Sequence, residues 1–417
     1  MTTVARDGVP AVDGDGVPAV VRDRFASLPD FPWDTLAAAK AVAAAHPGGI
    51  VDLSIGTPVD PTSAAVQAAL SAAADAPGYP TVHGTVGLRT AFRDWAIRRV
   101  GATRALEVSA VLPTVGSKEA VSSLPTQLGL GPGDRVAVPA LAYPTYEVGA
   151  LAAGAEIVRY DPLAGLPDGP LALVWLNSPA NPTGAVLDLG TTRSLVAAAR
   201  ARGAVVASDE CYAEFGWDAH PVSVLDPRVH APAAAPTPGS RGETTSDPTA
   251  GTVGGRGRGG GRGGGLAGLL ALHSLSKQAN LAGYRVGFLS GDPVLVARLL
   301  AIRKQLGLIV PWPVQQAAIT ALADDPGVGE QRARYAARRS ALLGALRSAG
   351  LTVQDSAGAL YLWATAGEPA MDTVDRLATL GVLVAPGSFY GPAGASHVRV
   401  AVTATDERVD AAVQRLG

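Results

Sequence analysis

A chain of 417 residues with 47% hydrophobic content can bury a large core, and its length favours more than one structural domain. Its 34 basic and 36 acidic residues leave a net charge of −2, which supplies no global field to gather nucleic acid or an anionic membrane. The single cysteine, Cys211, excludes an intramolecular disulfide and a thiolate metal cluster and fits a reducing compartment, so the cytoplasm is the expected location.

The predicted elements begin after an arm. Residues 1–24 carry DGVPAV twice, at 7–12 and 15–20, and this Asp, Gly and Pro content reads as a flexible segment. Acidic residues precede any apolar run, which argues against a secretory signal, and no apolar stretch reaches the roughly 18 residues of a membrane span. Asp34 is the expected N-cap of an alanine-rich helix, TLAAAKAVAAAH, that HPGG stops. The segment 25–49 is expected to pack with the chain's C-terminal unit, because termini often lie close together.

The run IVDLSI then opens a large unit over 50–290. Helical stretches AAVQAALSAAA and GLRTAFRDWAIRRV are followed by strand-like VSAVLP, RVAVPA, AEIVRY, LALVWL, AVVASD and GLLALHS, with helical LGTTRSLVAAARAR between. Short Val-, Leu- and Ala-rich runs alternating with amphipathic helices predict an α/β unit whose mainly parallel sheet is covered on both faces. Such sheets bind ligands at the carboxyl ends of their strands. From 291 to 417 the pattern changes to long helices and then ALYLWATA, GVLVAPGS and HVRVAVTA with a closing helix from about Asp406, a smaller α+β unit.

Residues 231–265 belong to neither unit. They hold 12 glycines, four arginines, two acids and no aromatic residue, so they cannot bury a core and read as a disordered insertion. A nucleic-acid role is the sharper reading, but the tract offers no ring on which a base could stack, and lengthening a surface loop costs little closure entropy. No nucleic-acid partner is expected.

Reactive residues follow the apolar strands directly. After VSAVLP, Gly116, Ser117 and Lys118 open a helix whose free N–H groups can hold an anion. Tyr143 follows RVAVPA, and Asn181 lies in a turn, NPTG, after LALVWL. AVVASD ends in Asp209, an acid that is costly to bury unpaired, with Tyr212 close behind. GLLALHS runs into LSKQANLAGYRVG, which carries Lys277 and Arg285. Together these groups suit one ligand with an aldehyde, a pyridine ring and a phosphate, pyridoxal 5'-phosphate. An amine can form a Schiff base, a carboxylate can keep the ring nitrogen protonated, and an arginine with a helix terminus can bind the phosphate. The flanking Ser274 and Ser276 are small donors suited to that phosphate. A helix terminus contributes only about 0.3–1 kcal/mol toward an exposed anion, against roughly 1.5–3 kcal/mol for each charge-assisted bond, so the guanidinium is needed as well.

From about residue 25 onward the chain resembles the fold-type I, class I/II pyridoxal-phosphate aminotransferases. SLSKQANLAGYRVG is similar to that family's lysine motif, NPTG to its turn asparagine and SDECY to its aspartate and tyrosine. The resemblance implies that Lys277 forms the Schiff base and Asp209 pairs with the pyridine nitrogen. Asn181 and Tyr212 would bond the ring oxygen, Tyr143 would stack on the ring, and Ser117, Lys118, Ser274 and Arg285 would surround the phosphate. Arg399, in HVRVAVT, stands where the family clamps the substrate α-carboxylate; as a lone arginine on an edge strand it would read as a surface charge. Tyr79 would reach the phosphate of a neighbouring subunit and Gly56 would lie against substrate, which implies a homodimer with shared sites. Without the 231–265 tract, the separation of Asp209 and Lys277 falls from 68 positions to 33, closer to the family's spacing.

Within the family, FPWDTLAAAKAVAAAHPGGIVDLSIGTPVDPT, PGYPTVHGTVGLR, LPTVGSKEAVSSLP and APGSFYGPAG are most similar to N-succinyldiaminopimelate aminotransferases of lysine biosynthesis. That likeness implies an amino-acid donor and 2-oxoglutarate as substrates. The residues leave open another aminotransferase, acting on LL-diaminopimelate, aspartate or an aromatic amino acid, and a C–S β-lyase with the same cofactor.

Overall fold

The computed structural model describes Leu28, residues 32–230 and residues 265–417. The expected arm at 1–24 and all but the last residue of the 231–265 tract lie outside these described residues.

A 3-10 turn over Pro32–Leu36 leads into α1 (Ala37–Ala44). Asp34 therefore lies inside the turn, and α1 starts at Leu36 with no side-chain cap, contrary to the expected cap at Asp34. β1 (Val51–Asp52) follows, then α2 (Ala64–Ala72) and α3 (Val86–Arg99), where Ser63 and Thr85 each accept an N–H bond from the first turn of the helix they precede. These caps satisfy donors that a helix start leaves without an internal partner.

Strands and helices then alternate: β2 (Val111–Thr114), α4 (Ser117–Gln127), β3 (Arg135–Pro139), α5 (Thr145–Ala153), β4 (Glu156–Tyr160), β5 (Leu173–Asn177), α6 (Leu189–Ala201) and β6 (Val205–Asp209). After the short α7 (Pro227–His230) come β7 (Leu269–Ser274), α8 (Leu275–Gln278) and β8 (Gly287–Gly291). Strands β2 to β8 make one sheet in the order β2-β8-β7-β6-β5-β3-β4, parallel except for β8, which runs antiparallel to both of its neighbours. The pattern GFLSG gave no strand signal, since glycine at both ends removes the β-branched bulk by which a strand is recognised. Burial follows the two-residue period: Leu269 and Ala271 of β7 join the core on one face, Leu270 and Leu272 the core on the other. Helices on both faces thus bury every residue of β5 and β7, as a covered parallel sheet requires.

The C-terminal part holds α9 (Pro293–Leu306), α10 (Trp312–Ala323), α11 (Asp325–Ser348), β9 (Thr352–Gln354), β10 (Tyr361–Thr365), α12 (Ala370–Thr379), β11 (Val382–Leu383), β12 (Ala385–Pro386), β13 (Val398–Ala401) and α13 (Asp406–Leu416). Its antiparallel sheet has the order β12-β13-β10-β9. Arg399 therefore stands on an inner strand and is 2% exposed, so the surface-charge alternative for it is overturned. β1 pairs in parallel with β11 and makes no pair with the seven-stranded sheet, so IVDLSI joins the C-terminal unit instead of opening the large one. Leu36, Ala39 and Ala43 of the first helical segment share a core with Val374, Leu377 and Val382. The Arg338 guanidinium on α11 holds both oxygens of Asp60 at 2.7 Å and Asp406 at 2.6 Å, tying the approach to α2 and the start of α13 to one helix.

Candidate active site

The carboxyl ends of β5, β6 and β7 bring their loops together, and β6 delivers Asp209 there at 6% exposure. One carboxylate oxygen accepts the Tyr146 hydroxyl at 2.8 Å and the other accepts the Cys211 N–H at 3.1 Å. Burial pushes the Asp209 pKa up, and the donors from Cys211 and Tyr146 offset part of that rise. Such a carboxyl favours a cation against it. Tyr146 stacks on Trp175 with ring centroids 4.8 Å apart and stands edge-on to Tyr143 at 6.0 Å, which fixes one phenol in the first turn of α5 and the other just before it. Tyr146→Phe is expected to leave the fold intact and to weaken cofactor retention about tenfold, the loss of one bond to a charged group, as read by equilibrium dialysis.

Across the site, Gly116 precedes α4 with φ of 76°, a conformation open to glycine. A Cβ there would lie 2.2 Å from Nη2 of Arg285, so the absent side chain is what lets the guanidinium reach the start of α4. Ser117 and Lys118 form the first turn of this helix. Ser274 ends β7, and its hydroxyl accepts the Ser276 N–H at 3.1 Å. β8 lies between β2 and β7 and sets these segments side by side: a Cβ on Gly287 would lie 3.1 Å from the Ser117 nitrogen and 2.8 Å from the His273 carbonyl oxygen. Ser117, Ser274 and Arg285 thus meet at the N-terminus of α4, a ready anion site, with Lys118 in its first turn and Ser276 two residues beyond Ser274.

Between these ends, the Lys277 amine donates to the Gly56 carbonyl. Burial lowers its pKa, and the positive charges of Arg399 and Arg285 act in the same direction. Arg399 donates from Nη1 to the Asn181 side-chain oxygen at 2.9 Å and from Nη2 to the Ser54 carbonyl at 2.6 Å. Its Nε is buried and has no hydrogen-bond partner among the described residues. The Tyr212 and Tyr361 hydroxyls are 2.8 Å apart. Of the residues expected at the site, Tyr79 alone stands apart, fully exposed. Sequence reasoning missed Tyr146, Ser54, Tyr361 and Tyr390. The signal for Tyr146 was available, since it follows Tyr143 by three positions on a helix start.

An aldehyde would meet the Lys277 amine, a basic ring nitrogen the buried Asp209 carboxyl, and a phosphate the α4 terminus with Arg285. Pyridoxal 5'-phosphate fits all three, and the cradle that Gly116 and Gly287 leave open is closed by any Cβ. Fold and site together define a fold-type I pyridoxal-phosphate enzyme. The chain belongs to the aminotransferase class I and II family, whose pattern matches residues 49–416.

It is 54% identical over 391 residues to the probable aminotransferase Rv1178 of Mycobacterium tuberculosis, covering 94% of this chain and 86% of that protein. It is 51% identical over 389 residues to the 4-dedimethylamino-4-oxo-anhydrotetracycline transaminase OxyQ of Streptomyces rimosus, covering 93% and 99%. An LL-diaminopimelate aminotransferase of Nitratidesulfovibrio vulgaris is 30% identical over 416 residues, covering 94% and 97%. Among solved structures, substrate-bound BacF of Bacillus subtilis superimposes with a TM-score of 0.78 at 25% identity, over 95% of this chain and 96% of that one.

Proposed function

We propose that this aminotransferase moves an amino group between N-succinyl-LL-2,6-diaminopimelate and 2-oxoglutarate, as a homodimer in which Tyr79 reaches the partner's phosphate site. The observation that carries a transfer reaction is the placing of the Lys277 amine within one cluster with a carboxylate-binding guanidinium, Arg399, held by Asn181 and Ser54. The diaminopimelate substrate is supported by the likeness of four sequence stretches and by relatives that act on LL-diaminopimelate.

When bound, the cofactor supplies an electron sink joined to the amino nitrogen. Each residue then has a defined task. Arg399 and Asn181 receive the donor's α-carboxylate next to Gly56, and the bidentate geometry orients Cα toward Lys277. The Lys277 amine, neutral at lower pH than usual because it is buried, takes the proton from Cα and returns it elsewhere as a general base and acid. Asp209 would keep the ring nitrogen protonated, and Tyr212 with Asn181 would bond the ring oxygen. Tyr143 would cover the ring face, while Ser117, Lys118, Ser274, Ser276 and Arg285 would hold the phosphate. The second half-reaction runs the same tasks in reverse on a keto acid.

Arg399→Lys keeps the charge but loses the planar fork. It is expected to raise KM for both the amino donor and 2-oxoglutarate about thirtyfold, within the roughly 1.5–3 kcal/mol of one charge-assisted bond. Steady-state kinetics with each substrate in turn checks this.

A second reading is amination of a ring ketone on a polycyclic substrate, favoured by 51% identity across 99% of the tetracycline-pathway transaminase. A panel of donors with 2-oxoglutarate, run beside a polycyclic ketone with glutamate, separates the two. Glutamate formed from succinylated diaminopimelate supports the first reading. Pyruvate, ammonia and thiol released from a cysteine conjugate would instead mark a β-lyase.

A further inference from the structure

The Arg399 guanidinium sits among three aromatic rings, with its central carbon 4.1 Å from the ring centre of Tyr361, 4.9 Å from Tyr390 and 5.8 Å from Trp33. Of the two tyrosines, only Tyr361 has a hydroxyl with a partner; that of Tyr390 is buried without one among the described residues. The Tyr361 hydroxyl is 2.8 Å from the Tyr212 hydroxyl, and it packs so closely on Gly56 that a Cβ there would fall 2.3 Å from it. The same Gly56 accepts the Lys277 amine through its carbonyl. One side chain therefore touches the carboxylate-binding cation, the phenol beside the cofactor pocket and the backbone that receives the lysine.

Packing alone does not account for a tyrosine here. Tyr361 opens β10 at 4% exposure in an apolar core, where a phenylalanine would fill nearly the same volume without a hydroxyl to desolvate. A cation held against an aromatic face out of water is drawn to the ring's negative face, which fixes the plane in which the fork points. The Tyr212–Tyr361 hydrogen bond fixes the direction of the Tyr212 phenol.

We propose that Tyr361 is a positioning residue that couples the carboxylate clamp to the cofactor's phenolic partner, its ring setting the plane of the Arg399 guanidinium and its hydroxyl holding Tyr212. This rests on the reading of Lys277 and Arg399 given above.

Two substitutions separate the ring from the hydroxyl, both made in the cofactor-loaded protein with maleate as an unreactive dicarboxylate. Tyr361→Phe keeps the ring: its maleate Kd by calorimetry is expected to stay within about twofold of wild type. Its kcat is expected to fall about fivefold with KM little changed, and its visible absorbance maximum at one fixed pH to shift as Tyr212 loses its partner. Tyr361→Leu removes the ring as well and is expected to weaken maleate about tenfold or more. A Tyr361→Phe protein with wild-type kcat and spectrum overturns the proposal, as does a folded Tyr361→Leu protein with wild-type maleate affinity. If Tyr361→Leu does not fold, Tyr361→Phe decides alone. A wild-type protein with no cofactor absorbance band would sink the underlying reading of Lys277 before either variant is made, so the two failures are distinct.

Discussion

Lys277→Ala is expected to lose at least about a thousandfold in turnover and all of the visible absorbance that a covalently held cofactor gives the wild-type protein. The expected loss is large because in the proposed function one amine serves twice, as the anchor of the cofactor and as the base that moves the substrate's Cα proton. The amine leaves no essential packing gap, since Lys277 lies half-buried on the four-residue α8 and its one bond runs to the Gly56 carbonyl. With the cofactor removed from both proteins, the variant should therefore keep the wild-type melting transition. Stopped turnover with an unchanged melting curve is the signature of lost chemistry; a collapsed melting curve would mean that Lys277 serves the fold.

Asp209→Ala is expected to retain part of the cofactor, through the phosphate site and Lys277, and to lose about a hundredfold to a thousandfold in kcat, the scale of removing a charge aimed at developing charge. The reason lies in the direction of its shift. Burial raises the Asp209 pKa, and a cation against the carboxyl restores the ionised form, so a protonated ring nitrogen and the carboxylate stabilise each other. Without the carboxylate no group of the proposed site would hold the ring nitrogen protonated, and the electron sink the cofactor would supply would be weaker. Single-turnover kinetics with the amino donor isolates this step from binding. Because Tyr146 donates to the same carboxylate, Tyr146→Phe should show the same defect on a smaller scale, and the two effects should not add in the double variant.

The parallel sheet and the residues at its strand ends were legible because both depend on local pattern. Apolar runs such as LALVWL and AVVASD are short enough to be strands, and a carboxylate such as Asp209 at the end of one is costly without a partner. Lys277 was readable for the same reason, as a charged group just after a buried strand, and Arg285 through the glycine-flanked stretch it shares with that lysine. What escaped depends on contacts distant in sequence. β1 pairs with β11 more than three hundred residues away, and nothing in IVDLSI specifies that partner. Arg399 lies on an inner strand because β12 and β10 flank it, which its own neighbours in sequence do not encode. Tyr361, Tyr390 and Trp33 each sit in apolar surroundings where an aromatic residue reads as core, and only the fold brings all three rings to one guanidinium. Asp34 failed as a cap because Pro32 starts a 3-10 turn that carries the chain past it.

The most direct measurement treats the cofactor-loaded protein with borohydride, digests it and locates the added mass by peptide mapping. The account expects the reduced cofactor on the peptide that contains Lys277, in about one equivalent per chain. Cofactor mass on another lysine, or a protein that releases all its cofactor after reduction, would contradict it.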